Sequence, residues 1–237
     1  MTISRFSEEA AQWDSNPFIH AATANAKTAI LSRFGGPSET SSLDILDLGC
    51  GTGLLSLALS PSVRSVTSID VAQGMVDVFA SKLEAADAPK NIRPICVMLE
   101  DPEDPVLKAD PVTGSQGQQA RKFDLVVSHL VLHHIPDLSA FLKTIHGVLK
   151  PRGQVMLTDF EDFGPEARRF HPESKMDGVE RHGIKRTEIL ELLKNAGFED
   201  VKVEIAFEME KAVESEPGKG DGTDLMTFPF LICQGKR

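Results

Sequence analysis

The chain has no tyrosine, a single tryptophan and three cysteines among its 237 residues. Without tyrosine, phenolic acid–base chemistry is excluded. Cys50, Cys96 and Cys233 are odd in number and far apart. No CxxC or Cys/His cluster stands anywhere, which argues against a disulfide framework or a structural zinc site and fits a reducing compartment. No window approaches the roughly 18 uncharged apolar residues that a membrane span needs. The opening MTISRFSEEAAQWD has no apolar signal-peptide core and carries acids too early for a transit peptide, so a cytoplasmic location is expected. Basic residues are in deficit: 25 Lys and Arg against 35 Asp and Glu give a net charge of −10. That balance argues against a general affinity for nucleic-acid phosphates, which needs clustered cations. No internal repeat is found.

What is present suits a soluble globular protein: 41% apolar and 25% charged residues, enough for a sizeable core. The length fits one large α/β domain with an attached lid. Residues 7–34 read as one or two helices stopped by Gly35-Gly36-Pro37. Strand and helix patterns then alternate. Strands are expected at 43–48, 65–70, 92–99, 123–128 and 154–160, and helices at 54–60, 72–86 and 138–149, the last closed by Lys150–Gly153. A helix over 189–196 follows, with Thr187 as N-cap and Gly197 as C-cap. Alternating Val201 to Met209 and residues 224–235 read as two last strands around a polar loop at 214–223, with Pro229 implying a bulge or a late start. Strand–helix alternation predicts an α/β fold: a mostly parallel Rossmann-like sheet of seven strands, helices on both faces, and a C-terminal antiparallel hairpin. Ligands in such sheets bind beyond the carboxyl ends of the strands.

The sharpest motif is Asp47-Leu48-Gly49-Cys50-Gly51-Thr52-Gly53, between a strand and a helix. Glycines there permit a tight turn and close backbone approach to a ligand, and the helix that follows begins with free N–H groups. The dinucleotide pattern G-x-G-x-x-G fails, because the sixth position is Leu54 or Ser56; a Walker A loop is absent. Asp70 ends the second strand, where a carboxylate can accept both hydroxyls of a ribose.

With LDLGCGTG, the strand ending SID, FDLVVSHLVLHHIPD and LKPRGQVMLTDF in this order, the sequence resembles the class I S-adenosylmethionine-dependent methyltransferases, and within them the group related to quinone-biosynthesis methyltransferases. The resemblance covers about residues 40–160 well and extends through HGIKRTEILELLKNAGF. It implies S-adenosyl-L-methionine as cofactor and S-adenosyl-L-homocysteine as product. It implies that Gly49, Cys50, Gly51 and Gly53 hold the methionine part, and that Asp47 orients its amino group directly or through water. Asp70 would hold the ribose, Val71 and Met75 would flank the adenine, Asp101 would meet the adenine amino group, and Ser128 would offer backbone contacts near the cofactor amino group. Cys50 is a small filler in this reading, without chemistry of its own. Residues 1–36 are expected as a helical lid segment carrying Trp13 and Phe18, with Asp14 facing solvent or capping a helix. Residues 37–237 form the methyltransferase domain, with 101–122 and 161–186 as insert or lid loops.

Methyl transfer is an in-line displacement that needs alignment and exclusion of water, with a base only where the acceptor must lose a proton early. His129, His133 and His134 follow the fourth strand. His133 lies where some relatives place a catalytic histidine, and it is the candidate base; a structural or cofactor-side role is the alternative. His182, Asp159, Glu161 and Asp162 either face the acceptor or stand as solvated loop residues. The acidic run Glu100–Asp104 is broken by Pro102 and lacks the regular spacing of a hard-cation loop, so no metal is expected. The expected partner is a small-molecule acceptor reacting at O, N, S or C, with no membrane or nucleic acid; no oligomer is specified. Two other readings stand beside it. One is a methyltransferase acting on tRNA or a protein, using a patch from Arg168, Arg169, Lys175, Arg181, Lys185 and Arg186. The other is a catalytically silent cofactor-binding subunit.

Overall fold

Five consecutive buried residues, Asp44–Leu48, form β1; burial on both faces is what a central strand of a helix-covered sheet requires. The structure, a computed structural model, describes residues 2–216, 218, 222 and 224–237. The other strands are β2 (Ser65–Asp70), β3 (Ile92–Cys96), β4 (Phe123–His129), β5 (Leu149–Phe160), β6 (Glu199–Val213) and β7 (Asp224–Lys236). The helices are α1 (Thr2–Trp13), α2 (Pro17–Leu31), α3 (Pro37–Thr40), α4 (Leu54–Leu59), α5 (Gln73–Lys82), α6 (Leu138–Val148) and α7 (Arg186–Asn195). Across the sheet the order is β3-β2-β1-β4-β5-β7-β6. β1 to β5 pair in parallel, and β7 runs antiparallel between β5 and β6. This is the expected seven-stranded sheet with its C-terminal hairpin. The order reverses between β1 and β4, so their carboxyl ends open the crevice.

Successive strand residues point to opposite faces, and the core divides accordingly. Ile45, Leu125, Val127 and Met156 pack with Ile30 of α2, Leu55 and Leu59 of α4 and Phe79 of α5. Leu46, Val126, Val155 and Leu157 pack with Leu142 and Ile145 of α6 and Ile189 and Leu193 of α7. Each fully buried aliphatic side chain of this kind contributes about 1.5–3 kcal/mol of transfer free energy.

Several boundaries differ from expectation, each for a local reason. The N-terminal helical stretch breaks before Asn16, whose Oδ1 accepts the Phe18 N–H at 3.0 Å, with Pro17 opening α2. Lys150–Gly153 lie within β5 yet bulge from the ladder: Phe123 pairs with Leu149 but Leu125 with Gln154, and Arg152 takes φ +66°. Pro229 is accommodated inside β7 opposite Glu208, and the bulge lies on β6 opposite the next two residues of β7. Ile205 pairs with Leu231 and Phe207 with Phe230, leaving Ala206 as the extra residue. That explains why Ala206 interrupts the alternation. The helix over α7 is capped by Lys185 rather than Thr187, with no side-chain bond, and Gly197 follows its end at φ +97°. The loop expected over 214–223 lies partly outside the described residues.

The stretch 101–122 turns away from the carboxyl ends of the strands. Asp110 pairs with Arg64 and Arg121, which also pair with Asp44 at the opening residue of β1, and Leu107 is buried. The insert is thus pinned at the amino edge of the sheet, opposite the crevice.

Candidate active site

The turn after β1 holds three glycines at left-handed φ: Gly49 at +73°, Gly51 at +52° and Gly53 at +84°. Their necessity differs. A Cβ on Gly49 would come within 2.4 Å of Val131 Cγ2, and one on Gly53 within 2.2 Å of the Phe79 ring; both glycines exist for close packing. A Cβ on Gly51 would meet nothing within 4 Å. Its backbone therefore lies open to a ligand. The N–H groups of Gly49 and Cys50 donate to the Ile69 carbonyl at 2.8 and 3.0 Å. The Gly51 and Ala72 N–H groups donate to the two oxygens of Asp70, each at 2.8 Å. Asp70 is thereby fixed beside the open glycine, with lone pairs left on both oxygens.

Beneath the turn, Asp47 is 1% exposed. It accepts from Ser56 Oγ at 2.6 Å, and Ser56 lies 2.7 Å from Ser68 Oγ. Burial pushes the Asp47 carboxyl up to about 7, and the Asp70 charge adds to this, against the Ser56 hydrogen bond. Burial raises Asp70 as well, against its two N–H donors. Two desolvated carboxylates gain from a cationic partner, so the site suits a ligand carrying an ammonium group. Burial pushes the Cys50 thiol well up, which leaves it neutral and unreactive. Ser128 is buried at the end of β4, and its hydroxyl donates to the Leu48 carbonyl at 2.7 Å, tying the two central strands together.

Helix α1 lies against this turn. Asp14 accepts from Thr52 Oγ1 at 2.5 Å and pairs with Lys82, whose ammonium donates to the Thr52 carbonyl at 2.7 Å. Asp14 is thus neither solvent-facing nor a cap, as the sequence suggested: it latches α1 to the glycine turn. Ser7 Oγ accepts the Gly74 N–H at 3.2 Å, where a Cβ would strike the Ser7 backbone at 2.5 Å. Met75 is buried among Ala10, Ala72, Phe6 and Trp13. Val71 follows the end of β2, its carbonyl accepting from Cys96 Sγ at 3.6 Å.

Asp101 is not brought to this group, contrary to expectation. Pro102 packs on Gly147 near the end of α6, Thr144 Oγ1 donates to the Glu100 carbonyl at 2.9 Å, and Lys122 Nζ donates to the Pro102 carbonyl at 2.9 Å. Asp101 is exposed, and its Oδ1 accepts the Glu103 N–H at 2.8 Å.

Across the crevice, β4 ends at His129, and Leu130 follows at φ +58°. That turn leads into a short helical turn, Leu132–His134. His133 is 2% exposed and Asp159 fully buried. The His133 Nδ1 lies 2.9 Å from both carboxylate oxygens of Asp159, which also accepts the His133 N–H at 3.1 Å and the Phe160 N–H at 2.9 Å. With Nδ1–H given to the carboxylate, the lone pair resides on Nε2. His134 Nδ1 donates to the Gly178 carbonyl at 2.7 Å. His171 closes the group, its ring centroid 5.0 Å from that of His133 and 6.0 Å from that of His134. Burial depresses His134 to about 4 and His171 to about 2, with neighbouring charges adding to this. His129 is held at about 4 by burial; its Nδ1 lies 2.8 Å from Thr158 Oγ1, and its Nε2 is buried without a partner among the described residues. Phe18, Phe160, Phe170 and Phe230 form an aromatic wall nearby, with Lys211 over the Phe18 and Phe170 rings. Glu161 does not face this space: it forms a forked pair with Arg186 at 2.9–3.1 Å. Asp162 caps the Gly164 N–H at 3.1 Å. His182 has a buried Nδ1 without a partner among the described residues.

A parallel sheet whose first strand ends in acidic-x-G-x-G-x-G and whose second ends in an acidic residue beside an open glycine defines the class I methyltransferase architecture. Residues 19–203 match the family described as a methyltransferase domain. The chain belongs to that family, whose cofactor is S-adenosylmethionine. It is 32% identical over 169 residues to an uncharacterized methyltransferase of Schizosaccharomyces pombe, covering 70% of this chain and 56% of that one. It is 28% identical over 167 residues to the ubiquinone biosynthesis O-methyltransferase of Idiomarina loihiensis, covering 67% and 63%. The match therefore spans less than two thirds of either relative. In fold it is similar to phosphoethanolamine N-methyltransferase 2 of Haemonchus contortus in complex with S-adenosyl-L-methionine, with TM-score 0.61, 17% identity, and 90% of this chain and 52% of that one covered.

Of the sequence-predicted residues, Asp47, Gly49, Cys50, Gly51, Gly53, Asp70, Val71, Met75 and Ser128 lie at or just beyond the carboxyl ends of β1, β2 and β4, and His133 follows β4 in the turn Leu132–His134. Asp14 and His171 were missed. Neither carries a local signal: Asp14 meets a residue 38 positions away, and His171 sits in an aperiodic stretch.

Proposed function

We propose that the protein transfers the methyl group of S-adenosylmethionine to a small-molecule acceptor, with His133 as base. The observation that carries this reading is the open backbone of Gly51 beside the fixed Asp70 carboxylate and the buried Asp47. The residues present fit the cofactor: Gly51 leaves the room a Cβ would take, Asp70 has lone pairs for two ribose hydroxyls, and the raised Asp47 carboxyl favours an ammonium. Val71 and Met75 flank the adenine, and Ser128 borders the amino-acid end.

When bound, S-adenosylmethionine supplies a methyl group activated by a sulfonium, so no metal is required for the electrophile. The chain's own residues do the rest. His133 Nε2 takes the acceptor proton, Asp159 holds the ring in that tautomer and favours the imidazolium that results, and the turn at Leu130 aims the pair. The aromatic wall excludes water from the acceptor side. Residues 1–36 form a lid: Asp14 locks α1 to the glycine turn, and Lys175, paired with Glu9 at 2.9 Å, joins the same helix to the acceptor-side loop. The acidic balance favours a small acceptor over a polyanion, and the cytoplasm is the expected site of action.

Calorimetry with S-adenosylmethionine and S-adenosylhomocysteine tests the cofactor half. A screen of phenolic, amine, thiol and enol acceptors with wild type and His133→Ala tests the other half. Turnover should fall about 10²–10⁴-fold in His133→Ala with cofactor affinity unchanged. Full turnover in that variant would remove the base and leave the cofactor site standing.

A further inference from the structure

His133, His134 and His171 each offer a ring nitrogen, and these three atoms all lie within 4.8 Å of one another. A tetrahedral ion with nitrogen bonds near 2.0–2.1 Å holds its ligands about 3.3 Å apart, a closing movement within the reach of small side-chain rotations. We propose that these three histidines form a binding site for a borderline divalent transition ion, zinc or cobalt(II).

The arrangement around the rings has the features such a site needs. A metal-binding imidazole gives its other N–H to a carboxylate or carbonyl, which fixes its tautomer and aims its lone pair. His133 does so to Asp159 at 2.9 Å and His134 to the Gly178 carbonyl at 2.7 Å. Both therefore present Nε2. His171 makes no hydrogen bond among the described residues, so its donor atom is uncommitted. The surroundings are dry: Phe160 lies 5.0 Å from His133 and 5.7 Å from His171 between ring centroids, and Phe6 meets His134 edge-on at 5.1 Å. The identity of the ion follows from the donors. Three imidazole nitrogens disfavour magnesium or calcium, which are held by oxygen, and favour ions that bond to imidazole. Asp159 supplies a negative charge against His133 Nδ1.

The three residues come from two segments, the turn after β4 and the stretch 161–186, and none belongs to a spaced Cys/His motif. That is why the sequence shows no such site. The site also goes beyond the methyl-transfer reading, and meets it at one atom: Nε2 of His133 can take a proton or a metal, but not both. An ion bound there withdraws the base.

The test is titration of chelator-treated protein with cobalt(II), followed by its visible d–d bands, in wild type, His134→Ala and His171→Ala. Saturable binding of one ion with four-coordinate bands is expected, weakened about tenfold or more in each variant, while S-adenosylhomocysteine affinity stays unchanged as a control for folding. Absence of saturable binding, or equal binding in wild type and both variants, overturns the site. The methyl-transfer reading is scored separately: metal-free protein should turn over and cobalt should inhibit it reversibly. Binding without inhibition would refute His133 as the base and leave the metal site intact.

Discussion

The buried Asp47 carboxyl gives the account a sign that can be checked without a substrate. Its ordinary value is 3.8, and burial beside Asp70 raises it to about 7 in the folded chain. The folded state therefore binds this proton more tightly than the unfolded chain. Between about pH 4 and pH 7 the unfolded carboxyl is ionised while the folded one is not, so stability falls as pH rises through that window and stays low above it. The shift is about three units at 1.4 kcal/mol each, an upper bound of about 4 kcal/mol. Asp47→Asn keeps an acceptor for the Ser56 hydroxyl and cannot ionise. The stability gap between variant and wild type should widen by up to about 2 kcal/mol between pH 5.5 and pH 8, which for a chain of this size is a relative gain of several degrees in Tm. Thermal unfolding of both proteins across that range, without cofactor, reads it directly; the static effect of the amide cancels in the comparison. The variant should at the same time lose affinity for S-adenosylhomocysteine, whose ammonium has lost its anion. A gap that does not change with pH would show that Asp47 is ionised and satisfied in the free protein, and the electrostatic reason for an ammonium at this site would be gone.

Three further outcomes follow from named contacts. Gly51→Ala places a Cβ at φ +52°, costing about 1–2 kcal/mol, and fills the open face; cofactor affinity measured by calorimetry should fall more than about tenfold while the protein stays folded. Asp14→Ala removes the partner of both Thr52 and Lys82, worth about 1–2 kcal/mol of lid closure, so S-adenosylhomocysteine should dissociate about tenfold faster in a stopped-flow chase. Asp159→Asn keeps the shape beside His133 but removes the carboxylate that accepts from its Nδ1; kcat should drop about 100-fold or more with KM and S-adenosylhomocysteine affinity little changed, a split that a purely structural role would not give.

Much of this architecture was legible in the sequence, because the features that specify it are local. Period-two and helical patterns place β1 to β5 and their helices, and the glycine turn announces itself by residue type. Asp70 could be singled out because it ends a strand, and His133 because it follows one by four residues, on the side where the sheet puts ligands. What escaped depends on distances along the chain that no pattern encodes. Asp159 reaches His133 because β4 and β5 are neighbours in register, with His129 opposite Thr158. Asp14 latches onto Thr52 only because the helix break before Asn16 turns the chain there. Asp101 looked right by its place after the third strand, yet that strand ends at Cys96. Packing of Pro102 on Gly147 draws the residues after it toward the amino edge. His171 lay in a stretch without periodicity, where only the folded chain shows its neighbours.

The central claim is that the turn from Gly49 to Gly53, with Asp70 beside it, holds the cofactor. A crystal structure of the protein with S-adenosylhomocysteine tests it most directly. The account predicts the ligand against the Gly51 backbone, its ribose hydroxyls on the Asp70 carboxylate and its ammonium toward Asp47. Ligand found elsewhere in well-occupied density, with that turn bare, would contradict it.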